Sequence, residues 1–317
     1  MSLRLENTNA GAVADAIAEQ RHRKGATASG MVMTLVIVAD EENQSDATEA
    51  AQFSAGEHPC RILTVIPRRG GTEPRLDANI SVGDTDGPGE LVRLRMRGGL
   101  SEHAESVVLP LLLSDTPVVV WWPGAHPVNL AADSLGRLAH RRIIDSTNED
   151  DFVACLKERQ ANLASGDTDL SWTRLTPWRA ALAATLDQPF EPITGATIYS
   201  EPIPAAPLMR TWLQDRLGVP VAYLRSQGPA INQIVINTEG GDITVTRPTG
   251  HMATVERGGV AVKELFLPRR ETRELIGEEL RRLDPDETYE NTMRHLDLDR
   301  LEPDDEQAPA AATDGQV

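Results

Sequence analysis

Two stretches of this chain are apolar at nearly every position: MVMTLVIVA at 31–39 and TPVVVWW at 116–122. A strand with one wet face alternates apolar and polar residues. A strand that is apolar at consecutive positions has both faces covered, as inside a parallel sheet sandwiched by helices. Neither run approaches the ~18 residues of a membrane span, so both belong to a core. Between them, Ser45 to Ala55 has helical character and Arg61 to Ile66 reads as a strand. Strand, helix, strand in that space is a βαβ unit with parallel strands. Residues 10–24 form an amphipathic pattern that ends at Gly25. Leu76 to Val82 and Leu91 to Arg97 read as strands around the turn-rich GDTDGPG. A helix opened by Ser101 is expected to Ser114, a short helical piece near 129–138, a strand at Arg142 to Asp145 and a helix from 148 to 163. This alternation predicts an α/β N-terminal domain over 1–165, built on a mainly parallel or mixed sheet.

ASGDTDL at 164–170 marks a boundary. The second domain, 170–300, reads as α+β. Thr176-Pro177 is a helix start, with Thr as the cap and Pro in the first turn. Ala196 to Ser200 reads as a strand, and Ala206 to Leu217 as a helix closed by Gly218. From Val221 to Leu267 strand follows strand, with hairpin turns at 239–242 and 257–259, which predicts an antiparallel meander. Helices return at Glu271 to Leu283 and after Asp284-Pro285. From Asp284 to the end, eleven acids face two bases, and residues 301–317 read as a disordered, solubilising and dispensable acidic tail.

Lys and Arg number 31 and Asp and Glu 48, for a net charge of −17. So acidic a surface repels phosphate backbones and anionic lipid, which argues against nucleic-acid and membrane partners. No basic segment followed by an apolar run opens the chain, so no signal peptide is visible. The two cysteines, Cys60 and Cys155, lie far apart and read as reduced thiols of a cytoplasmic protein. No metal-ligand spacing, phosphate-binding glycine loop or nucleophile elbow occurs, so no catalytic, cofactor or metal residue is assigned.

Four places draw attention. His58 stands before a strand in His58-Pro59-Cys60-Arg61, either closing the preceding helix or facing a ligand. Glu90 follows a Gly-Pro-Gly turn, solvated or facing a ligand. His103 falls in the first turn of a helix, as a cap or as a proton-transfer group. Trp121-Trp122-Pro123-Gly124 ends an apolar strand, where open α/β sheets place ligands, although core packing explains the tryptophans as well. Trp172 and Trp178, flanking Arg174 and Arg179, are interface or core residues. One arrangement gathers Pro123, Gly124, His126, His58 and Arg61 around a sugar phosphate, with Arg61, Arg141 and Arg142 on the phosphate.

Several long blocks resemble the actinobacterial OpcA family, the glucose-6-phosphate dehydrogenase assembly proteins. They are SVVLPLLLSDTPVVVWWPG (106–124), LGRLAHRRIIDS (135–146), DLSWTRLTPWRAAL (169–182) and ELIGEELRRLDPDETYENTM (274–293), with MTLVIVAD (33–40) and HPCRILTVIP (58–67) before them. The resemblance spans residues 10–296. One departure is Pro88-Gly89-Glu90 where the family often has Cys-Gly-Glu, which removes a thiol and weakens the redox-switch reading that the resemblance would otherwise imply. The resemblance implies a non-catalytic partner of glucose-6-phosphate dehydrogenase. Such a partner promotes the active oligomer and raises activity at the head of the oxidative pentose phosphate pathway, while the dehydrogenase supplies the NADP site. Two alternatives stay open: a sugar-phosphate-binding enzyme or metabolite sensor, and a passive assembly scaffold.

Overall fold

The structure is a computed structural model that describes residues 2–25, 30–68, 70, 73–84 and 87–304. Most of the segment expected to be a disordered tail, 305–317, lies outside the described residues. By internal contacts the chain divides into two units. One combines Met1–Asp150, Ala161–Thr173 and Arg270–Glu290; the other combines Asp151–Gln160, Arg174–Arg269 and Asn291–Val317.

The first half of the chain supplies β1 (Leu3–Leu5), α1 (Ala10–Lys24), β2 (Met33–Val38), α2 (Gln44–Ala55), β3 (Cys60–Arg68), β4 (Arg75–Asp84), β5 (Gly87–Arg97), α3 (Ala104–Val108), β6 (Val118–Trp121) and β7 (Arg141–Ile144). After them come α4 (Phe152–Ala161), β8 (Asp167–Asp169), α5 (Leu170–Thr173), α6 (Thr176–Leu186), β9 (Ile193–Ser200), α7 (Ala205–Leu217) and β10 (Val221–Arg225). The chain continues through β11 (Ile231–Thr238), β12 (Ile243–Thr246), β13 (Met252–Arg257), β14 (Val260–Phe266), α8 (Thr272–Arg281) and α9 (Glu287–Arg294).

In the first unit eight strands form one sheet in the order β1-β4-β5-β3-β2-β6-β7-β8. The run from β5 to β8 is parallel; β4 and β1 are antiparallel additions at one edge. This is the mixed sheet expected of an α/β domain, and the two apolar runs sit side by side at its centre as β2 and β6. Leu35, Ile37, Val119 and Trp121 form one cluster with Ala47 and Ala51 of α2 and Leu275 and Ile276 of α8. The alanines let α2 lie close to the sheet. Asn9 caps α1 by accepting from Ala12 N at 3.0 Å, and Gly25 ends it at φ 62°, a left-handed conformation that costs glycine nothing.

The helix expected from Ser101 to Ser114 is broken. Only α3 is α-helical; a 3-10 turn covers Leu109–Leu111. Pro110 has no N–H to give to the Ser106 carbonyl. Near 129–138 only a 3-10 turn at Gly136–Leu138 forms, because Asp133 Oδ1 accepts from the N–H groups of Leu135 and Gly136. Asp145 likewise leaves β7 and accepts from Thr147 N at 3.2 Å, so the next helix starts four residues later than expected.

The second unit holds a six-stranded sheet, β10-β9-β11-β12-β13-β14. From β9 and β11 onward it is the expected antiparallel meander. β10 departs from that expectation: it runs parallel to β9, joined through α7. The crossover is a βαβ unit, and Gly218 at φ 66° closes its helix. Thr176 is the first residue of α6, not its cap, and its Oγ1 accepts from Arg179 Nη2 at 3.1 Å. Leu301 is buried, and Asp304 N donates to Tyr223 O at 2.8 Å beside β10.

Candidate functional site

In an open parallel sheet, ligands bind at the carboxyl ends of strands where the connections diverge. Here that place lies between β2, whose chain goes on through α2 to β3, and β6 on its other side. The carboxyl end of β2 leads into Asp40-Glu41-Glu42-Asn43 and then α2. Asp40 Oδ1 accepts from Asn43 N at 2.7 Å and Glu42 N at 3.0 Å. Glu41 accepts from Arg68 Nη2 at 2.8 Å and Arg95 Nε at 3.0 Å. Burial pushes its carboxyl up, but the two arginines outweigh that and hold it below the ordinary carboxylate range. Asp46 adds another acid in the first turn of α2. A pyrophosphate at this helix start would meet carboxylates where such sites offer glycine N–H groups. Across from it, Pro123 O accepts from Asn148 Nδ2 at 2.9 Å, and a Cβ on Gly124 would stand 3.2 Å from Asn43 Nδ2.

The structure separates the residues of the sugar-phosphate arrangement. Arg61 pairs in register with Thr34, which pairs with Val118, so Arg61 and His58 lie toward the amino ends of the parallel strands. Pro123 and Gly124 lie beyond their carboxyl ends. The arrangement of Pro123, Gly124 and His126 with His58 and Arg61 therefore does not form. His126 Nε2 instead faces Glu149 Oε1 at 3.3 Å. Nor do the three arginines share an anion. Each is buried against its own carboxylate: Arg61 on Glu90 at 2.6 Å, Arg141 on Glu279 at 2.6 Å and Arg142 on Asp167 at 2.5 Å.

Arg61 and Glu90, picked separately from the sequence, meet across β3 and β5, and α1 adds Arg21. Glu90 Oε1 accepts from Arg21 Nε at 2.7 Å, and Oε2 from Arg61 Nε at 2.7 Å. Arg61 Nη1 donates to Leu111 O at 2.5 Å. Glu90 is 3% exposed, so it is a structural anchor between β3 and β5, at the amino ends of these interior strands.

The four tryptophans are buried too, at 1% for Trp121, 3% for Trp122, 0% for Trp172 and 2% for Trp178. Trp172 Nε1 donates to Asp286 Oδ2 at 2.8 Å, and its ring lies 5.9 Å from that of Tyr289. Trp178 carries the Arg247 guanidinium 5.0 Å above its ring. Arg174 and Arg179 are half-buried. His103 is exposed, 3.6 Å from Glu105, and His58 is half-buried with its backbone N–H donating to Ser54 O at 3.0 Å.

The sequence reading missed one cluster, at the carboxyl ends of β7 and β8. Asp169 Oδ1 accepts from Ser171 N at 2.7 Å and Ser146 N at 3.2 Å, and the two serine hydroxyls lie 2.8 Å apart. Asp169 Oδ2 is buried with no hydrogen-bond partner among the described residues. Burial, then the charge of Asp145, push the Asp169 carboxyl up. A raised folded-state pKa means the folded protein holds a proton that the unfolded chain releases. The stability this gives is complete below the ordinary aspartate value near 3.8 and is lost as pH rises through the raised value. Asp169→Asn keeps both accepted bonds and removes the charge. Its urea midpoint is expected to exceed wild type at neutral pH and to fall less steeply with rising pH. An unchanged pH profile would refute this. The available signal was Asp145-Ser146 just after β7 and Asp169-Leu170-Ser171 at the end of β8.

No group of three or more His, Cys, Asp or Glu among the described residues could hold a metal ion. Cys60 and Cys155 are free and buried, and burial pushes the Cys60 thiol up to about 12. No described helix is long and apolar enough to cross a membrane.

Two family models match the chain. One, described as glucose-6-phosphate dehydrogenase subunit N-terminal domain, covers residues 51–161; the other, described as the C-terminal domain of that subunit, covers 165–293. No curated protein matches significantly. Among solved structures, the 3-ketoreductase KijD10 from Actinomadura kijaniata aligns at 12% identity and TM-score 0.47, covering 84% of this chain and 95% of its own. The dehydrogenase MviM from Clostridium difficile aligns at 8% identity and TM-score 0.42, covering 83% and 97%. Likeness at this level carries no inference about activity.

Proposed function

Because the chain belongs to the OpcA family of glucose-6-phosphate dehydrogenase assembly proteins, we propose that it is a non-catalytic partner of that dehydrogenase, promoting its active oligomer and raising its activity. The observation that carries this reading is the pair of family models, which together run from residue 51 to 293. The site agrees with it. Acids crowd the start of α2, where a dinucleotide would need N–H groups, and the three arginines suited to a phosphate are engaged internally. In this reading the NADP belongs to the dehydrogenase.

The mechanism is linkage. A protein that binds the active form of an enzyme better than the inactive form shifts the population by no more than that difference in affinity. A typical coupling of ~1–3 kcal/mol corresponds to ~5–150-fold. Steady-state kinetics of the dehydrogenase from the same organism, with and without the chain, test this alongside light scattering. A heavier complex with a higher kcat or a lower KM is expected. A heavier complex with unchanged kinetics would mean a passive scaffold. No complex, together with a melting temperature raised by sugar phosphates, would favour a metabolite-binding protein instead.

A further inference from the structure

We propose that the outer face of the six-stranded sheet is a docking surface for a second copy of this chain. The register defines this face. Leu224, Tyr199, Gln233, Thr246, Thr254 and Glu264 form one row across all six strands. Ala222, Thr197, Val235, Thr244 and Glu256 form the next row over five of them. Neighbouring rows on the other face, such as Tyr223, Ile198, Ile234, Val245 and Val255, are buried to 2% or less. The outer rows are half-exposed from β10 through β13. Gln233 Nε2 donates to Thr246 Oγ1 at 3.0 Å along the row, so these polar groups satisfy one another within the face.

Charge is what singles this face out. The chain carries −17, so two copies repel wherever their acidic surfaces meet. From β10 through β12 the eight positions of the two rows carry no charge, and four of them are Leu224, Tyr199, Val235 and Ala222. The two carboxylates, Glu256 and Glu264, stand together at the β13–β14 end. A two-fold axis along the strands lays that end of one copy over β10 of the other and keeps the carboxylates of the two copies apart.

Shape points the same way. Sheets pack face to face ~10 Å apart when their twists match, and a second copy brings the same twist to an isologous contact. Five strand spacings of ~4.8 Å and five or six residues of ~3.3 Å give roughly 400–500 Å² in projection. That is smaller than the ~800 Å² per partner of a standard interface and belongs with the small, weaker specific contacts. The consequence reaches the proposed function without depending on it. A dimeric assembly protein is bivalent, so it could bridge two dehydrogenase protomers and gain from effective concentration.

Light scattering of the full chain alone, at micromolar concentration, tests the proposal. A mass twice the 34.5 kDa of one chain is expected. The variant Val235→Glu with Thr246→Glu places four carboxylates at the centre of the contact. It is expected to raise the dimer dissociation constant by at least ~100-fold. The pair Val235→Thr with Thr246→Val is expected to remain dimeric, and circular dichroism checks that both variants fold. A wild-type mass of one chain overturns the proposal, as does a dimer that the glutamates leave intact. A monomeric wild type whose glutamate variant no longer binds the dehydrogenase also overturns it, because the face would then serve the enzyme.

Discussion

Arg141→Met should lower the unfolding free energy of the first unit by about 3–5 kcal/mol, the usual cost of leaving one member of a buried ion pair without the other. Arg141 is 2% exposed and reaches three acceptors from α8 and the turn after it. Nη2 donates to Glu279 Oε2 at 2.6 Å, and Nη1 donates to Asp284 O at 2.6 Å and Arg282 O at 3.1 Å. Glu279 Oε1 also accepts from Thr173 Oγ1 at 2.6 Å. The Arg141–Glu279 pair thus joins β7 to α8 and, through Glu279, to α5. Burial already pushes the Glu279 carboxyl up, even with Arg141 drawing it down. Without the arginine the carboxyl rises further. The loss should therefore be greatest at neutral pH and shrink as pH falls toward the ordinary glutamate value near 4.5. Urea titrations at several pH values would show this. A deficit that does not depend on pH would place the cost in packing and not in the stranded carboxylate. The double variant Arg141→Met with Glu279→Leu should recover most of the loss.

Glu90→Ala is expected to cost a similar ~3–5 kcal/mol, because it strands Arg61, whose side chain is only 8% exposed. Arg21 is 24% exposed on the other side of the same carboxylate, so Arg21→Ala should cost about 1 kcal/mol or less. The asymmetry is the test. Equal losses from the two variants would mean that Glu90 and Arg61 are not held as tightly as their 2.6 Å contact implies. The same variant separates structure from partner contact. On the proposed function, Glu90→Ala below its lowered melting temperature should still bind the dehydrogenase as wild type does. Loss of binding in the folded variant would bring Glu90 back as an interface residue.

What could be read from the sequence followed from local rules. β2 and β6 were visible because burial on both faces removes alternation, and the ends of α1 and α7 because only glycine is at ease at their left-handed positions. Pro110 lies inside the stretch expected as one helix from Ser101 to Ser114, and its missing N–H is the local reason that α3 stops short of it. The parallel direction of β10 was obscured because its own residues look like those of the meander; direction is set by the crossover through α7. The ion pairs could not be seen at all. Arg141 and Glu279 are 138 residues apart, and no periodicity links them. Arg61 and Glu90 were singled out for their chemistry, and that chemistry serves the fold. The sequence leaves both a core and a contact role open for Trp121, Trp122, Trp172 and Trp178, and all four are buried in this structure. That Asp145 and Asp169 come together is not legible either, because a short polar step after a strand looks like any other turn.

The discontinuous first unit has a consequence for how the chain is made. Its sheet is complete in sequence by residue 169, but Leu275, Ile276 and Glu279 arrive on α8 more than a hundred residues later. At a ribosomal rate of ~5–20 residues per second, the delay from residue 170 to 280 is about 5–20 s. Throughout that interval the outer side of α2 and the Arg141 guanidinium emerge without their cover. A chain ended before α8 therefore lacks Leu275 and Ile276 of that core cluster and the carboxylate that pairs with Arg141.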